Sequence, residues 1–307
     1  MIKRNNVLIT GVNGFIGSNL AKTYIQRGFH VIGVDIASVA VIPSVTYYQI
    51  DLQSEGIEEQ LEMYEPAILI HCAGMADVNY SIIHPDSDFL SNVLLTRKVL
   101  YSIKEKSPET TVIYLSSAAV YGNPRSLPIS EKCKLNPISP YALHKQLAEE
   151  ICSYFVKQFE IDIRILRIFS AYGRGLKKQI FWDMGQKFHN EGRIRLSGTG
   201  AETRDFINIC DLVDAIILIA EAPRHEEMIY NVANGIEMSI KEISEMFCRC
   251  LNKEVVVEFD NSVRKGNPNN WCANIEKLKQ LGYSQKIDIY AGICDYVAWL
   301  NENHYLD

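Results

Sequence analysis

The chain has 307 residues, 47% of them hydrophobic and 22% charged, with a formal net charge of −6. A chain of this size buries about three quarters of its unfolded surface, and its acidic balance argues against a nucleic-acid or anionic-membrane partner, which would select for basic patches. No run approaches the roughly 18 apolar residues of a membrane span. Residues 1–6 lead straight into a short apolar strand without the long apolar stretch of a secretory signal, so a cytoplasmic protein is expected.

Short apolar runs alternate with helical stretches from the start. Strands are expected at residues 7–10, 31–34, 45–50, 67–71 and 111–116, with helices over 14–27 and 89–105. A helix over 140–159 and a strand over 162–168 come next. Continuous apolar strands alternating with helices mean a parallel sheet covered on both faces. After residue 173 the pattern loosens into loops rich in Gly, Asn and Lys, with a last helix over 290–301. The fold class is therefore α/β. A Rossmann-type, doubly wound parallel sheet is expected over residues 1–173. A smaller α/β substrate-binding region is expected over 174–307, with some later segments packing back on the first.

The eight cysteines, Cys72, Cys133, Cys152, Cys210, Cys248, Cys250, Cys272 and Cys294, are scattered and make no C-x-x-C pair. Cys248 and Cys250 fall in an apparent helix, where positions two apart point to different faces. No metal site is expected, and the thiols read as reduced. None of the seven histidines makes a metal spacing either.

The first strand runs into Gly11-Val12-Asn13-Gly14-Phe15-Ile16-Gly17, a G-x-x-G-x-x-G loop between strand and helix. Glycine permits the tight turn and lets a pyrophosphate approach the backbone, while the helix N-terminus presents free N–H groups and a positive dipole end. The strand before and the helix after are the context this motif requires. Asp35 ends the second strand, 18 residues beyond Gly17. A carboxylate there accepts hydrogen bonds from an adenosine ribose and repels a 2′-phosphate, so NAD is expected over NADP. Asp51-Leu52, ending the third strand, would place a second carboxylate near the adenine or simply close a turn.

Tyr141 and Lys145 lie at the start of a helix just after Pro140 and, four apart, share a face. A free tyrosine titrates near ~10. A neighbouring ammonium favours the tyrosinate, which general-base work near neutrality needs. Ser117 stands just after the fifth strand, at the carboxyl edge where open α/β sheets bind ligands. The Tyr–Lys spacing is common on amphipathic helices. It points to catalysis here because the glycine loop, the acid after strand two and Ser116-Ser117 after strand five occur in the same chain.

Taken together, these residues resemble the extended short-chain dehydrogenase/reductase family, in its NAD-dependent nucleotide-sugar epimerase/dehydratase branch. The resemblance spans nearly the whole chain. It includes His71-Cys72-Ala73-Gly74, Asn92, Ser116 to Gly122, Leu166-Arg167-Ile168-Phe169, Tyr172-Gly173, the stretch from Gly198 to Phe206, Tyr230-Asn231-Val232 and Arg264-Lys265-Gly266. It implies that Ser117, Tyr141 and Lys145 are catalytic. It implies that Gly11, Gly14, Phe15, Ile16, Gly17, Asp35, Asp51, Leu52, Ala73 and Asn92, with Tyr141 and Lys145, contact NAD. Ser117, Ser170, Arg204, Arg264 and Trp271 would face a nucleotide-diphosphate sugar, the two arginines gripping the diphosphate with their planar forks. It also implies a homodimer built on the helices near 89–105 and 141–158.

Within that branch the two residues after Ser117 narrow the reaction. The 4,6-dehydratases carry an Asp-Glu pair there for elimination. This chain has Ala118-Ala119, and two methyl groups cannot serve as acid and base. A 4-epimerase needs nothing beyond the Ser-Tyr-Lys set. A 4-ketoreductase uses the same set but must exchange its cofactor at each turnover, and a dinucleotide sensor without turnover is a third possibility. Three departures are visible. Ser170 replaces a usual Asn, Lys265 a usual Pro, and Asn267 a usual Asp. Trp271 stands where a bulky ring leaves less room for an N-acetyl group, which favours a non-acetylated hexose or deoxysugar. Tyr121 and Tyr172 read as loop residues that contact substrate or simply pack.

Overall fold

The computed structural model describes residues 5–188, 193–224, 228–262, 266 and 268–306. Its first part is β1 (Asn6–Thr10), α1 (Phe15–Gln26), β2 (His30–Asp35), β3 (Thr46–Gln49), α2 (Glu58–Tyr64), β4 (Ile68–His71), α3 (Val78–Ile83), α4 (Pro85–Phe89), α5 (Leu95–Lys106), β5 (Thr111–Ser117), α6 (Pro140–Phe159) and β6 (Ile163–Ile168). The remainder is β7 (Ser170–Tyr172), α7 (Gln179–Lys187), β8 (Arg193–Leu196), β9 (Thr203–Asn208), α8 (Ile209–Glu221), β10 (Ile229–Val232), β11 (Glu237–Ser239), α9 (Ile240–Leu251), β12 (Val256–Phe259), α10 (Glu276–Gln280) and α11 (Ile289–Glu302).

Seven strands form one sheet in the order β10-β6-β5-β4-β1-β2-β3. Every pairing in it is parallel, with Leu8 opposite Ile32 and Leu69, and Tyr114 opposite His71 and Ile165. All six residues of β6 are buried, as a strand covered on both faces must be. On one face Val7, Ile9, Ile70, Ile113 and Leu166 pack with Leu20 and Tyr24 of α1 and Leu212 and Ile216 of α8. On the other, Leu8, Ile32, Leu69, Val112 and Ile165 pack with Leu61 of α2, Val99 and Ile103 of α5, and Phe155 of α6. Burying each such side chain stabilises the fold by ~1.5–3 kcal/mol relative to exposure. The reversal of strand order between β4 and β1 opens the crevice in which doubly wound sheets take ligands.

The helix expected to begin at residue 89 begins at Pro85, and one π turn over Leu90–Leu94 joins α4 to α5. Proline suits a first turn, where its missing N–H is not needed. Helix α6 starts as expected, with Ser139 Oγ accepting from Ala142 N at 3.2 Å and Pro140 in the first turn.

Beyond residue 173 the chain contributes both to the main sheet, through β10, and to two small sheets, β11-β9-β7 and β12-β8. These surround a third cluster that includes Tyr172, Phe181, Phe206, Ile243, Phe247 and Tyr296. Tyr121 and Tyr172 are core residues, 0% and 1% exposed, and Tyr172 lies on a strand. The reading of all eight cysteines as free thiols is corrected here. Cys250 of α9 and Cys294 of α11 form a disulfide across facing helices, with Cα atoms 5.0 Å apart. They are 44 residues apart in sequence, a proximity that no local spacing announces.

Candidate active site

The glycine loop closes against the loop after β4. Gly11 has φ +66°, and a Cβ there would stand 2.7 Å from Ala73 N, while one on Gly17 would stand 2.3 Å from the Gly11 carbonyl oxygen. Helix α1 follows Gly14, an N-cap residue without a side chain, which leaves its first N–H groups to a ligand. Phe15 and Ile16 are half-buried on the first turn. Asp35 lies at the carboxyl end of β2 and accepts from Asn13 N at 3.0 Å and Ala37 N at 3.2 Å. Asn13 also fastens the loop after β2, donating to Val39 O at 3.0 Å and accepting from Val41 N at 2.7 Å. Asp51 accepts from Gln53 N at 2.9 Å in a turn, and Leu52 is buried in the sheet's core. Asn92 sits in the π turn, 1% exposed, and its Oδ1 has no hydrogen-bond partner among the described residues. An uncapped helix start, a cradle with no room for a Cβ, a carboxylate at β2 and an orphaned buried acceptor together fit a dinucleotide.

Ser117 ends β5, and its Oγ accepts from Ala119 N at 3.1 Å. Tyr141 reaches it from α6. Burial pushes the Tyr141 phenol up to about 12, against the pull of the nearby Ser117 hydroxyl, and the Asp88 carboxylate adds to the rise. One turn along α6, Lys145 Nζ donates to Leu115 O at 2.9 Å and lies 5.0 Å from the Tyr114 ring centroid. Burial pushes its ammonium down to about 8, while Asp88 and Glu149 hold it up. At neutral pH, Tyr141 is thus a phenol beside a buried ammonium. Such a group needs one more positive neighbour to become a base.

On the far side, Arg204 of β9 donates to Thr203 O at 2.7 Å, Pro268 O at 2.9 Å and Asn269 O at 3.1 Å. Burial pushes its guanidinium down to about 10. Its carbon stands 5.4 Å from the Trp271 ring centroid. Trp271 is buried, donates from Nε1 to Gly122 O at 3.0 Å and meets Phe169 edge-on. Ser170 opens β7 and is half-buried. Arg264, Lys265 and Asn267 lie outside the described residues.

Two buried polar groupings behind the site escaped sequence reasoning. Glu149, one turn beyond Lys145 on α6, pairs with Arg167 of β6 at 2.6 Å and accepts from Ser116 Oγ. Asp88, 0% exposed, accepts from His144 Nδ1 at 2.6 Å. The spacing of Tyr141, Lys145 and Glu149 by four was a readable signal for the first. For the second, only Asp88 and Asn92 were a detectable pair, four apart on one helix. Among the described residues, no group of three or more His, Cys, Asp or Glu side chains is arranged to hold a metal ion, and no helix is long and apolar enough to cross a membrane.

Known proteins are similar to this chain in sequence and in fold. The model of the NAD dependent epimerase/dehydratase family matches residues 7–233. UDP-glucuronate 4-epimerase of Thermodesulfobacterium geofontis is 29% identical over 315 residues, covering 96% of each chain. The dTDP-4-dehydro-6-deoxyglucose reductase of Escherichia coli is 26% identical over 306 residues, covering 95% of this chain and 96% of that protein. Among solved structures, MoeE5 in complex with UDP-glucuronic acid and NAD superposes with a TM-score of 0.89 at 24% identity, over 97% of this chain and 99% of that one, a likeness of fold.

Proposed function

The chain belongs to the NAD dependent epimerase/dehydratase family, and from that premise we propose that it is a nucleotide-sugar 4-epimerase with Ser117, Tyr141 and Lys145 as its catalytic residues. The observation that carries the reading is the placement of the Tyr141 phenol, buried at the start of α6, near enough to Ser117 at the carboxyl edge of β5 for that hydroxyl to favour its charged form, with Ala118 and Ala119 next in the chain. Gly11, Gly14, Phe15, Ile16 and Gly17 would hold the pyrophosphate of NAD and Asp35 its adenosine ribose. Asp51 and Leu52 would lie on the adenine side, with Ala73 and Asn92 along the same edge. When bound, NAD would supply the hydride acceptor and donor for sugar C4 and a positively charged ring that favours the tyrosinate.

Tyr141 Oη takes the proton of the sugar 4-hydroxyl and later gives it back. Ser117 Oγ holds that oxygen and the phenol in register. Lys145, charged below about pH 8, would favour the tyrosinate through space. Ala118 and Ala119 offer no acid or base for elimination, whereas 4-epimerisation requires none. Arg204 and Arg264 would grip the diphosphate. Ser170 and Trp271 would bound the sugar, with Trp271 favouring one without an N-acetyl group. The named activities of the relatives support UDP or dTDP as the carrier.

A 4-ketoreductase is the second reading, favoured by the E. coli relative and by the identical demands on Ser117, Tyr141 and Lys145. The proposal extends to a cytoplasmic homodimer serving polysaccharide biosynthesis. Leu90, Leu94 and Tyr101 on one helix and Leu143 and Tyr154 on α6 are 37–52% exposed, an apolar stripe suited to a second copy. The purified protein, given UDP-, GDP-, CDP- and dTDP-hexoses without added cofactor, is expected to convert one of them to its C4 epimer. Turnover only with a 4-keto sugar and added NAD(P)H would assign the reductase instead.

A further inference from the structure

Asp88 is a fully buried carboxylate that no step above uses. Removing such a charge from water is costly unless it is well hydrogen-bonded. Its two oxygens have different partners. Oδ2 accepts from His144 Nδ1 at 2.6 Å, and Oδ1 accepts from Asn92 Nδ2 at 3.1 Å. His144 lies between Tyr141 and Lys145 in the chain, and its ring packs edge-on against Phe89, with centroids 5.4 Å apart. The bond therefore ties α4 to the part of α6 that carries both catalytic candidates. It also fixes the imidazole, since Nδ1 must carry a proton to donate to a carboxylate.

The consequence falls on Asn92. Its Nδ2 donates to Asp88 Oδ1, to Asp88 O at 3.2 Å and to Met75 O at 3.0 Å. A turned-over amide would set its oxygen against three acceptors, so only one orientation is allowed. In that orientation the orphaned Oδ1 faces the loop after β4, where a Cβ on Gly74 would stand 2.9 Å from it. That loop borders the crevice at the carboxyl edge of the sheet. The same carboxylate favours the charged form of Lys145 and disfavours that of Tyr141.

We propose that Asp88 and His144 form a positioning pair, which locks the Asn92 amide with its carbonyl oxygen toward the dinucleotide and holds the Tyr141–Lys145 face of α6 against it. The proposal rests on the NAD-binding reading above and adds two residues to it. Neither touches the reacting atoms. Asp88 acts through Asn92, and His144 acts through Asp88.

The test is NAD affinity of cofactor-stripped protein by titration calorimetry, with melting temperature and nucleotide-sugar KM measured alongside. His144→Leu removes the donor. His144→Asn restores it, because the asparagine Nδ2 occupies the place of Nδ1. Asp88→Leu keeps the branching at Cγ, at a larger volume, and removes both acceptors. The expected result is a loss of NAD affinity of about tenfold in His144→Leu and Asp88→Leu, the scale of one misplaced buried hydrogen bond. His144→Asn should recover to within about threefold on the same scale, with the sugar KM unchanged in both His144 variants. Equal NAD affinity in His144→Leu and wild type overturns the proposal, as does equal weakening in His144→Leu and His144→Asn. Should Asp88→Leu not fold, the two His144 variants decide alone. A wild-type protein that binds no NAD would instead overturn the functional reading itself.

Discussion

Lys145 donates from Nζ to the carbonyl oxygen of Leu115 at 2.9 Å, which fixes the ammonium between α6 and the end of β5 rather than on the Tyr141 oxygen. Any help it gives the Tyr141 phenol must therefore act through space across one helical turn, and would last only while the lysine is charged. The folded state holds this lysine at about 8, below its ordinary 10.5, because the site is buried. The unfolded chain therefore binds the proton more tightly, and this group's contribution to stability rises as pH goes from about 8 to 10.5. The proposed catalysis is expected to run the opposite way, since it uses the ammonium. The free-enzyme profile, kcat/KM against pH, is expected to fall as pH rises through about 8. A flat profile between pH 7 and 9 would remove the lysine charge from the mechanism.

Tyr141→Phe is expected to lower kcat by about 10²–10⁴-fold, the range for losing a positioned acid–base group. NAD binding and melting temperature should hold, because the ring stays in its buried place. Near-wild-type turnover in this variant would sink the catalytic assignment.

Asp35→Ala is expected to narrow the preference for NAD over NADP. The carboxylate repels a 2′-phosphate, and its loss also frees Asn13 N and Ala37 N. NAD affinity should fall by about 10–100-fold, as for hydrogen bonds to a charged group. Competitive titration of the two cofactors is the check, and an unchanged ratio would take Asp35 out of the ribose site.

Arg204→Leu is expected to raise the nucleotide-sugar KM by about 10–100-fold, through loss of a charge-assisted phosphate contact. Because the guanidinium also holds the Pro268 and Asn269 carbonyls, Arg204→Lys should recover only part of this. Arg264→Ala should raise the same KM. An unaltered KM in either alanine or leucine variant excludes that arginine from the diphosphate site.

Cys250→Ser is expected to destabilise the oxidised protein by about 2–4 kcal/mol, as for other disulfides closing loops of this order. The difference in melting temperature between variant and wild type should vanish in excess dithiothreitol. Thiol titration of the unfolded, unreduced wild type should count six free cysteines. A count of eight would show the bond absent.

The periodic parts of this protein are legible in its sequence alone. Strands such as Val7 to Thr10, apolar on both sides, and helix α6, opened by Ser139 and Pro140, declare themselves locally. Strand identity, helix phase and capping depend on neighbours only a few residues away. The glycine loop and Asp35 are legible for the same reason, since their spacing is set by a single βαβ unit. The start of α4 lies four residues ahead of the expected one, because the π turn over Leu90–Leu94 breaks the 3.6-residue period that marks a helix.

Local pattern specifies the parallel sheet, the glycine loop and the shared face of Tyr141 and Lys145, each written in spacings of four residues or in one strand–turn–helix unit. Packing across the whole fold brings Cys250 to Cys294, returns β10 to the edge of the main sheet and places Asp88 between His144 and the Asn92 amide. Those relationships join residues 44 or more positions apart, or depend on the direction in which a buried side chain points. Long-range packing sets both, and no local pattern encodes them.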